Sequence, residues 1–338
     1  KEEIREQIKT FKKYEMLINE GTYWRLTSPF EDEVAAWMSV SRAKDRALVS
    51  VVRLYAEANA AACYVKLKGL ESDAVYIEEN TGRQYTGAAL MNAGIPLPFA
   101  VKEYEAYQFS FIRLDEAKKL YDEIKKVCGN LKLSEADTAD SSSDKRIVIS
   151  IYGGSGKTTI AAALQQYFLK DNTACYVLTG DNYPHRIPMR NDEERLNVYN
   201  ESGEDGLRGY LGTPKEIDFD RINKELSEFK EGKDIIEIKH MGRQDGDISY
   251  DETDFTGIKV LILEWTHGGS EYLKGVDIPV FLESSPEETK ARRIKRGRDE
   301  NAASPFICRV VELEQEKLDL QSKNARIVVG KDGKVYEQ

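Results

Sequence analysis

Cysteine is scarce in this chain: four in 338 residues, Cys63, Cys128, Cys175 and Cys308, with no pair spaced as Cys-x-x-Cys. That scattered supply excludes a disulfide framework and a cysteine-built zinc site, and fits isolated reduced thiols in a cytoplasmic protein. Long apolar runs are missing as well. None approaches the roughly 20 residues a helix needs to cross a bilayer, so no membrane partner is expected. Positive charge is in deficit, 49 Lys and Arg against 59 Asp and Glu for a net −10. Nucleic acid is therefore not expected as the main partner. The three histidines, His185, His240 and His267, all fall in the second half, which by itself decides nothing. An initiator methionine is lacking too. The chain opens at Lys1 inside a helical pattern and is expected to be a piece of a longer protein.

What is present has two textures, and the length accommodates two ordinary domains with a core each. Residues 1–20 set Ile4, Ile8, Phe11, Tyr14, Met16, Leu17 and Ile18 among charges at helical spacing, an amphipathic helix in need of a partner surface. From Gly21 to Leu114, short runs such as 47–55 and 63–67 are punctuated by Gly, Pro, Asn and Asp. This predicts an antiparallel β-sandwich over 21–114, with turns at Lys68-Gly69-Leu70 and Asn80-Thr81-Gly82. Its acids are scattered, without the paired carboxylates that glycoside hydrolysis needs. A helix follows from Leu114 to Val127. Residues 133–144 are small, polar and acidic, so 115–144 reads as helix plus interdomain linker.

The strongest signal comes next. An apolar β-branched run, 146–150, leads into Ile151-Tyr152-Gly153-Gly154-Ser155-Gly156-Lys157-Thr158-Thr159 and then a helical stretch, 160–169. Strand, glycine-rich turn and helix start, ending Gly-Lys-Thr, is a phosphate-binding P-loop. Gly153, Gly154, Ser155, Gly156, Lys157, Thr158 and Thr159 would cradle phosphate oxygens with backbone N–H groups and the positive end of the helix. Lys157 would reach the β- and γ-phosphates, and the Thr158 hydroxyl would face Mg2+. One departure stands out: the motif's first glycine is replaced by Ile151.

The remainder alternates strand and helix, predicting an α/β P-loop domain over 145–338 with a mainly parallel sheet. Strands are read at 174–179, 259–264 and 278–283, with 327–329 as the last, and an amphipathic helix at 217–230. Ligands in such sheets bind beyond the carboxyl ends of the strands, where Asp181 and Glu264 fall. Asp181 is the candidate general base for an alcohol aimed at the γ-phosphate; an Asp–Asn turn is the plainer reading. Glu264 is the candidate second metal ligand, or else a solvated strand-end acid. The segment 286–298 carries six basic residues, among them Arg293 and Arg296 at helical spacing. That cluster reads as a lid closing over phosphates, or as a solvated helix face. Tyr183, His185, Arg186, Arg190, Lys239, His240, Arg243, Trp265 and His267 crowd the same loops. They are candidates for holding the acceptor, though each also reads as ordinary loop surface.

Two resemblances bear on these halves. Gly21-Thr22-Tyr23-Trp24-Arg25-Leu26-Thr27-Ser28-Pro29, Ala36-Trp37, Leu67-Lys68-Gly69-Leu70 and the run 85–94 resemble the C-terminal β-domain of family 36 α-galactosidases. That implies residues 1–20 are the last helix of the family's catalytic barrel. The barrel with its nucleophile and acid/base is absent, and no galactosidase activity is expected here. Residues 145–338 resemble the uridine kinase and phosphoribulokinase branch of P-loop kinases. The carrying features are Asp181-Asn182-Tyr183, the segment 214–220, and Leu263-Glu264 followed by a loop bearing His267. That resemblance implies ATP and Mg2+, with Asp181 as the catalytic acid. The stretch 237–243 departs from the uridine kinase pattern, which points away from a nucleoside.

The pairing looks like the bifunctional α-galactosidase/sucrose kinases of bacteria, implying sucrose as acceptor and sucrose 6-phosphate as product. The expectation is thus an ATP- and Mg2+-dependent sugar kinase joined to a non-catalytic β-domain. Self-association is carried over from family 36. A kinase for a nucleoside or phosphorylated pentose, and a non-catalytic ATP-sensing module, stay open as alternatives.

Overall fold

The computed structural model describes residues 2–55, 62–98, 103–130, 145–154, 156–244, 246–284, 304–331 and 333–338. They form two compact units, Lys1–Lys118 and Lys119–Gln338. The linker read at 133–144 lies outside the described residues.

In the first unit, helix α1 (Glu2–Glu20) precedes strands β1 (Thr22–Arg25), β2 (Val34–Val40) and β3 (Arg46–Arg53). Then come β4 (Tyr64–Val65), β5 (Val75–Glu78), β6 (Gln84–Thr86), the short helix α2 (Gly87–Asn92), β7 (Ile95–Pro96) and β8 (Ala106–Arg113). A six-stranded sheet runs β1-β2-β3-β8-β5-β6, with every neighbouring pair antiparallel. Alternation decides its buried face. Val34, Ala36, Met38 and Val40 of β2 turn inward with Ala47, Val49 and Val51 of β3, as a period of two requires. The opposing layer of the expected sandwich is small: the β4–β7 pair supplies Val65 and Ile95, and α2 supplies Leu90, to that same core. Thr86 caps α2, its hydroxyl accepting from the Ala89 N–H at 3.1 Å. Under α1 lies a cavity of about 360 Å³, where Lys13 and Ser110 both donate to Glu79.

Helix α3 (Asp115–Asn130) starts in the first unit and ends in the second, where Tyr121 stacks on Tyr167 at 5.4 Å. The second unit continues with β9 (Ile147–Gly153), α4 (Lys157–Lys170), β10 (Cys175–Thr179), α5 (Pro188–Tyr210), α6 (Phe219–Lys230), β11 (Ile235–Met241) and β12 (Ile248–Asp254). It closes with β13 (Val260–Glu264), β14 (Ile278–Leu282), α7 (Pro305–Gln321), β15 (Ile327–Val329) and β16 (Val335–Glu337). The main sheet runs β10-β13-β9-β14-β15-β16, parallel except for β16. Central β9 is buried along its whole length, which is why 146–150 reads as an unbroken apolar run rather than an alternating one.

Two features depart from the expectation. Val329 does not end the last strand, because β16 pairs antiparallel with β15. Its Val-Tyr-Glu is short and largely exposed, so it carries almost no hydrophobic pattern. The β11–β12 hairpin is the second, and its β12 (Ile-Ser-Tyr-Asp-Glu-Thr-Asp) is acid-rich and mostly solvated, with little apolar pattern to mark a strand.

One face of the sheet packs on α6 and β11 through Ile222, Leu226, Phe229, Ile236 and Phe255. Phe229 is fully buried, edge-on to Phe255 at 5.5 Å, with the Arg146 guanidinium 5.2 Å above its ring. Phe229→Ala is expected to cost about 3–5 kcal/mol. A chemical denaturation curve should show a lower midpoint with an unchanged slope.

Candidate functional site

At the end of β9 the chain must turn sharply, and glycine allows it. Gly153 has φ +116°, and a Cβ there would lie 2.2 Å from the Leu282 carbonyl oxygen on β14. Gly156, at φ +93°, opens α4 without a side-chain cap, so the positive end of the helix is presented where an anion can be held. Lys157 folds back over the loop, Nζ donating to the carbonyls of Gly153 at 2.9 Å and Gly154 at 2.7 Å. The motif's missing glycine now has a reason. Ile151 is still inside β9, buried and paired with Val280 on one side and Glu264 on the other, so the turn begins two residues later. Ser155 lies outside the described residues, as do Arg293 and Arg296.

Sheet order brings the acids to this loop. Strand β13 lies between β10 and β9, aligning Thr179, Glu264 and Ile151 in one row. Thr158, on the first turn of α4, then donates its hydroxyl to Glu264 Oε2 at 2.9 Å. Burial pushes the Glu264 carboxyl above its ordinary value and the nearby Asp181 pushes it further; hydrogen bonds from Thr158 and Thr179 and the Lys157 ammonium pull it partly back. A hydroxyl and a carboxylate at one point are hard oxygen donors. No cluster of three or more metal-binding side chains occurs among the described residues. That sparse set fits a small divalent cation completed by phosphate oxygens and water.

Asp181 is exposed on a single 3₁₀ turn, Gly180–Asn182, directly after β10. Only glycine fits before it, because a Cβ at 180 would sit 1.9 Å from the indole of Trp265. The loop that follows is bolted down. Asn182 Oδ1 accepts from Met241 N at 3.3 Å, and Tyr183 O accepts from Asp218 N at 2.8 Å. Pro184 O accepts from Lys239 Nζ at 2.9 Å, and His185 N donates to Glu216 O at 2.9 Å.

The acceptor candidates separate by burial. His185 is exposed, its Nε2 3.0 Å from Pro214 O. Arg186 is half-buried between Tyr210 (3.4 Å) and Glu194 (3.6 Å), and exposed Arg190 pairs with Glu193 at 2.9 Å. At the open end of β11, Arg243 is exposed and His240 half-buried, its Nε2 3.9 Å from Asp251. Four others depart from the expectation. Lys239 is buried, its ammonium donating to Pro184 O. Tyr183 is fully buried and donates its hydroxyl to Glu225. Trp265 is core, packed against Tyr183 and Phe219. His267 is buried against Gly212, and burial lowers its basicity. These side chains support the loops from behind. Sequence reasoning also missed buried Glu216, Glu225 and Asn191; an isolated acid or amide in a polar segment carries no local sign of burial.

Residues 147–329 match the model of the Phosphoribulokinase / Uridine kinase family. The chain belongs to that family. Membership implies that a nucleotide is used. Residues 34–111 match the Glycosyl hydrolase family 36 C-terminal domain. A curated relative, the bifunctional alpha-galactosidase/sucrose kinase of Mediterraneibacter gnavus, is 69% identical over 340 residues, covering 100% of this chain. This chain spans 35% of that relative's length. The alpha-galactosidase AgaA of Geobacillus stearothermophilus is 42% identical over 104 residues, 31% of this chain and 14% of its own. A solved galactosidase domain of an alpha-galactosidase-sucrose kinase aligns with 33% of this chain and 16% of its own, at 72% identity and a TM-score of 0.33. Among the described residues no helix is long and apolar enough to cross a membrane.

Two outcomes follow for this kinase-family site. A carboxyl raised by burial is protonated at a higher pH than a free glutamate, and only its anion binds a cation. Affinity for Mg2+ with nucleotide should therefore begin to fall, as pH is lowered, before it reaches the ordinary glutamate range. Calorimetric titration across pH checks this, and Glu264→Gln should flatten the dependence. Gly180→Ala should cost about 1–3 kcal/mol by overpacking against Trp265, read as a lower melting temperature, and should displace the Asp181 turn.

Proposed function

We propose that the second unit is an ATP- and Mg2+-dependent kinase that phosphorylates a primary hydroxyl of sucrose to give sucrose 6-phosphate. The first unit is then the non-catalytic C-terminal domain of an α-galactosidase acting on raffinose-type sugars. What carries the reading is the convergence at the P-loop of Lys157, the Thr158–Glu264 contact at 2.9 Å, and Asp181 on the next turn. The sucrose assignment is supported by the likeness to the Mediterraneibacter relative over the full length of this chain. A cytoplasmic setting belongs to the reading, since it supplies ATP and suits four unpaired cysteines.

In this reading the loop amides and Lys157 bind the triphosphate. Thr158 and Glu264 would hold Mg2+, which offsets charge on the phosphates when bound. Asp181 takes the proton from the attacking hydroxyl. The new bond forms between that oxygen and the γ-phosphorus as the β–γ bridging P–O bond breaks, and ADP leaves with the electron pair. His185, Arg186, Arg190 and Arg243 are the polar groups proposed to contact sugar hydroxyls, and Arg293 and Arg296 are proposed to offset charge on the phosphates.

Asp181→Ala should lower turnover by about 10²–10⁴-fold while ATP binding stays near wild type. Equal loss of both would assign Asp181 a structural role. ADP release should be measured with sucrose, glucose, fructose, raffinose, uridine and ribulose 5-phosphate in parallel. Release with sucrose is the expected outcome. Release only with uridine or the pentose would move the acceptor, and none with any acceptor would favour an ATP-sensing module.

A further inference from the structure

Glu216 is 1% exposed and is gripped from several sides. Arg195 Nε and Asn191 Nδ2, both on α5, donate to its Oε1 at 2.6 and 2.9 Å, and the Gly212 N–H donates to Oε2 at 2.6 Å. Burial alone would push the carboxyl up; the Arg195 charge and these hydrogen bonds overcome it and hold Glu216 as an anion. Arg195 reaches on to Glu314 of α7 at 3.2 Å. His267, from the loop after β13, lies so close to Gly212 that a Cβ there would be 2.8 Å from the ring.

The main chain of the same residue braces the loop that carries Asp181. Glu216 O accepts from His185 N at 2.9 Å, Ile217 forms a bridge to Pro184, and Asp218 N donates to Tyr183 O at 2.8 Å. Helix α5 is broken at Gly203, where φ is +65° and ψ −160°. Beyond the break it is tied to α7 by Arg309–Glu204 and by Arg208–Glu316 at 3.1 Å. Before the break, the stretch following Arg186 and bearing Arg190 is tied inward at Glu216.

We propose that Glu216 is a positioning residue for the acceptor, an inference that rests on the kinase reading above. Its main chain is fixed to the Asp181 loop and its side chain to α5. It thereby sets the distance between the general base and the groups that would hold the sugar. A buried anion suits this task better than a surface pair. The first turns of α5 cannot tilt away without leaving an unpaired charge in the interior, whereas exposed pairs break at little cost. Among the described residues Glu216 makes no hydrogen bond to the P-loop or to Glu264, so nucleotide binding should not depend on it.

Glu216→Gln keeps the size and removes the charge. Sucrose-dependent ADP release should fall by about tenfold to a hundredfold in kcat/KM for sucrose, the scale of a misplaced reactant. The KM for ATP should stay within about twofold, and Glu216→Asp should recover part of the loss. Equal changes in both KM values, or an unchanged sucrose kcat/KM in a folded variant, would overturn the inference. Should Glu216→Gln not fold, Glu314→Gln at the outer end of the same chain carries the test with a smaller effect of the same kind. Wild-type protein run alongside separates the two readings. If it turns over another acceptor, that acceptor replaces sucrose; if it turns over none, the kinase reading falls and this inference with it.

Discussion

Strand β13 is hydrogen-bonded between β10 and β9, and that placement sets Thr179, Glu264 and Ile151 in one row across the sheet. A carboxylate at the end of an edge strand would be solvated. Here it is flanked on both sides, partly desolvated, and within 2.9 Å of the hydroxyl that opens α4. The glycine turn after β9 and the Asp181 turn after β10 leave the sheet on either side of it. The chemistry therefore depends on backbone pairing first and on side-chain choice second. Gly153 and Gly180 show how tight the arrangement is, since in both cases a neighbouring strand or ring occupies the place of a Cβ.

The loops around this edge are stiffened by buried charge rather than by apolar packing alone. Glu225 accepts from the Tyr183 hydroxyl and from Arg221 at 2.6 Å, and its burial still leaves it harder to ionise than an ordinary glutamate. Lys239, with a nearly buried side chain, donates to Pro184 O and stands 3.9 Å from Asp218. Removing one partner from such a group strands the other, which costs several kcal/mol, on the order of 3–5. Local alternatives to the observed loop path are therefore few. That rigidity is what a phosphoryl-transfer site needs, because most of its catalysis comes from position and electrostatics.

The first unit obeys different rules. Its core draws valines and alanines that alternate along antiparallel strands together with larger Met38, Tyr76, Leu90 and Phe111, with one short helix and a two-stranded sheet as the second layer. The ion pair under α1, Lys13 with Glu79, joins an exposed lysine to a glutamate that already accepts from Ser110. The strands that carry this alternation lie within the match to the Glycosyl hydrolase family 36 C-terminal domain, residues 34–111.

Local pattern was enough to read the P-loop, the apolar strands that flank it, the acid ending β13 and the alternation of the first unit. Each is set by neighbours in the chain: glycine where φ is positive, β-branched runs where both faces are covered, a period of two where one face is. Tertiary structure alone decided which polar loop residues face inward. Tyr183, Trp265 and His267 share their composition with true surface loops. They are buried because Glu225, Phe219 and Gly212 arrive from distant segments to pack against them. Glu216 belongs with these, since its role comes from Arg195, Asn191 and His185, which only the folded chain brings to it.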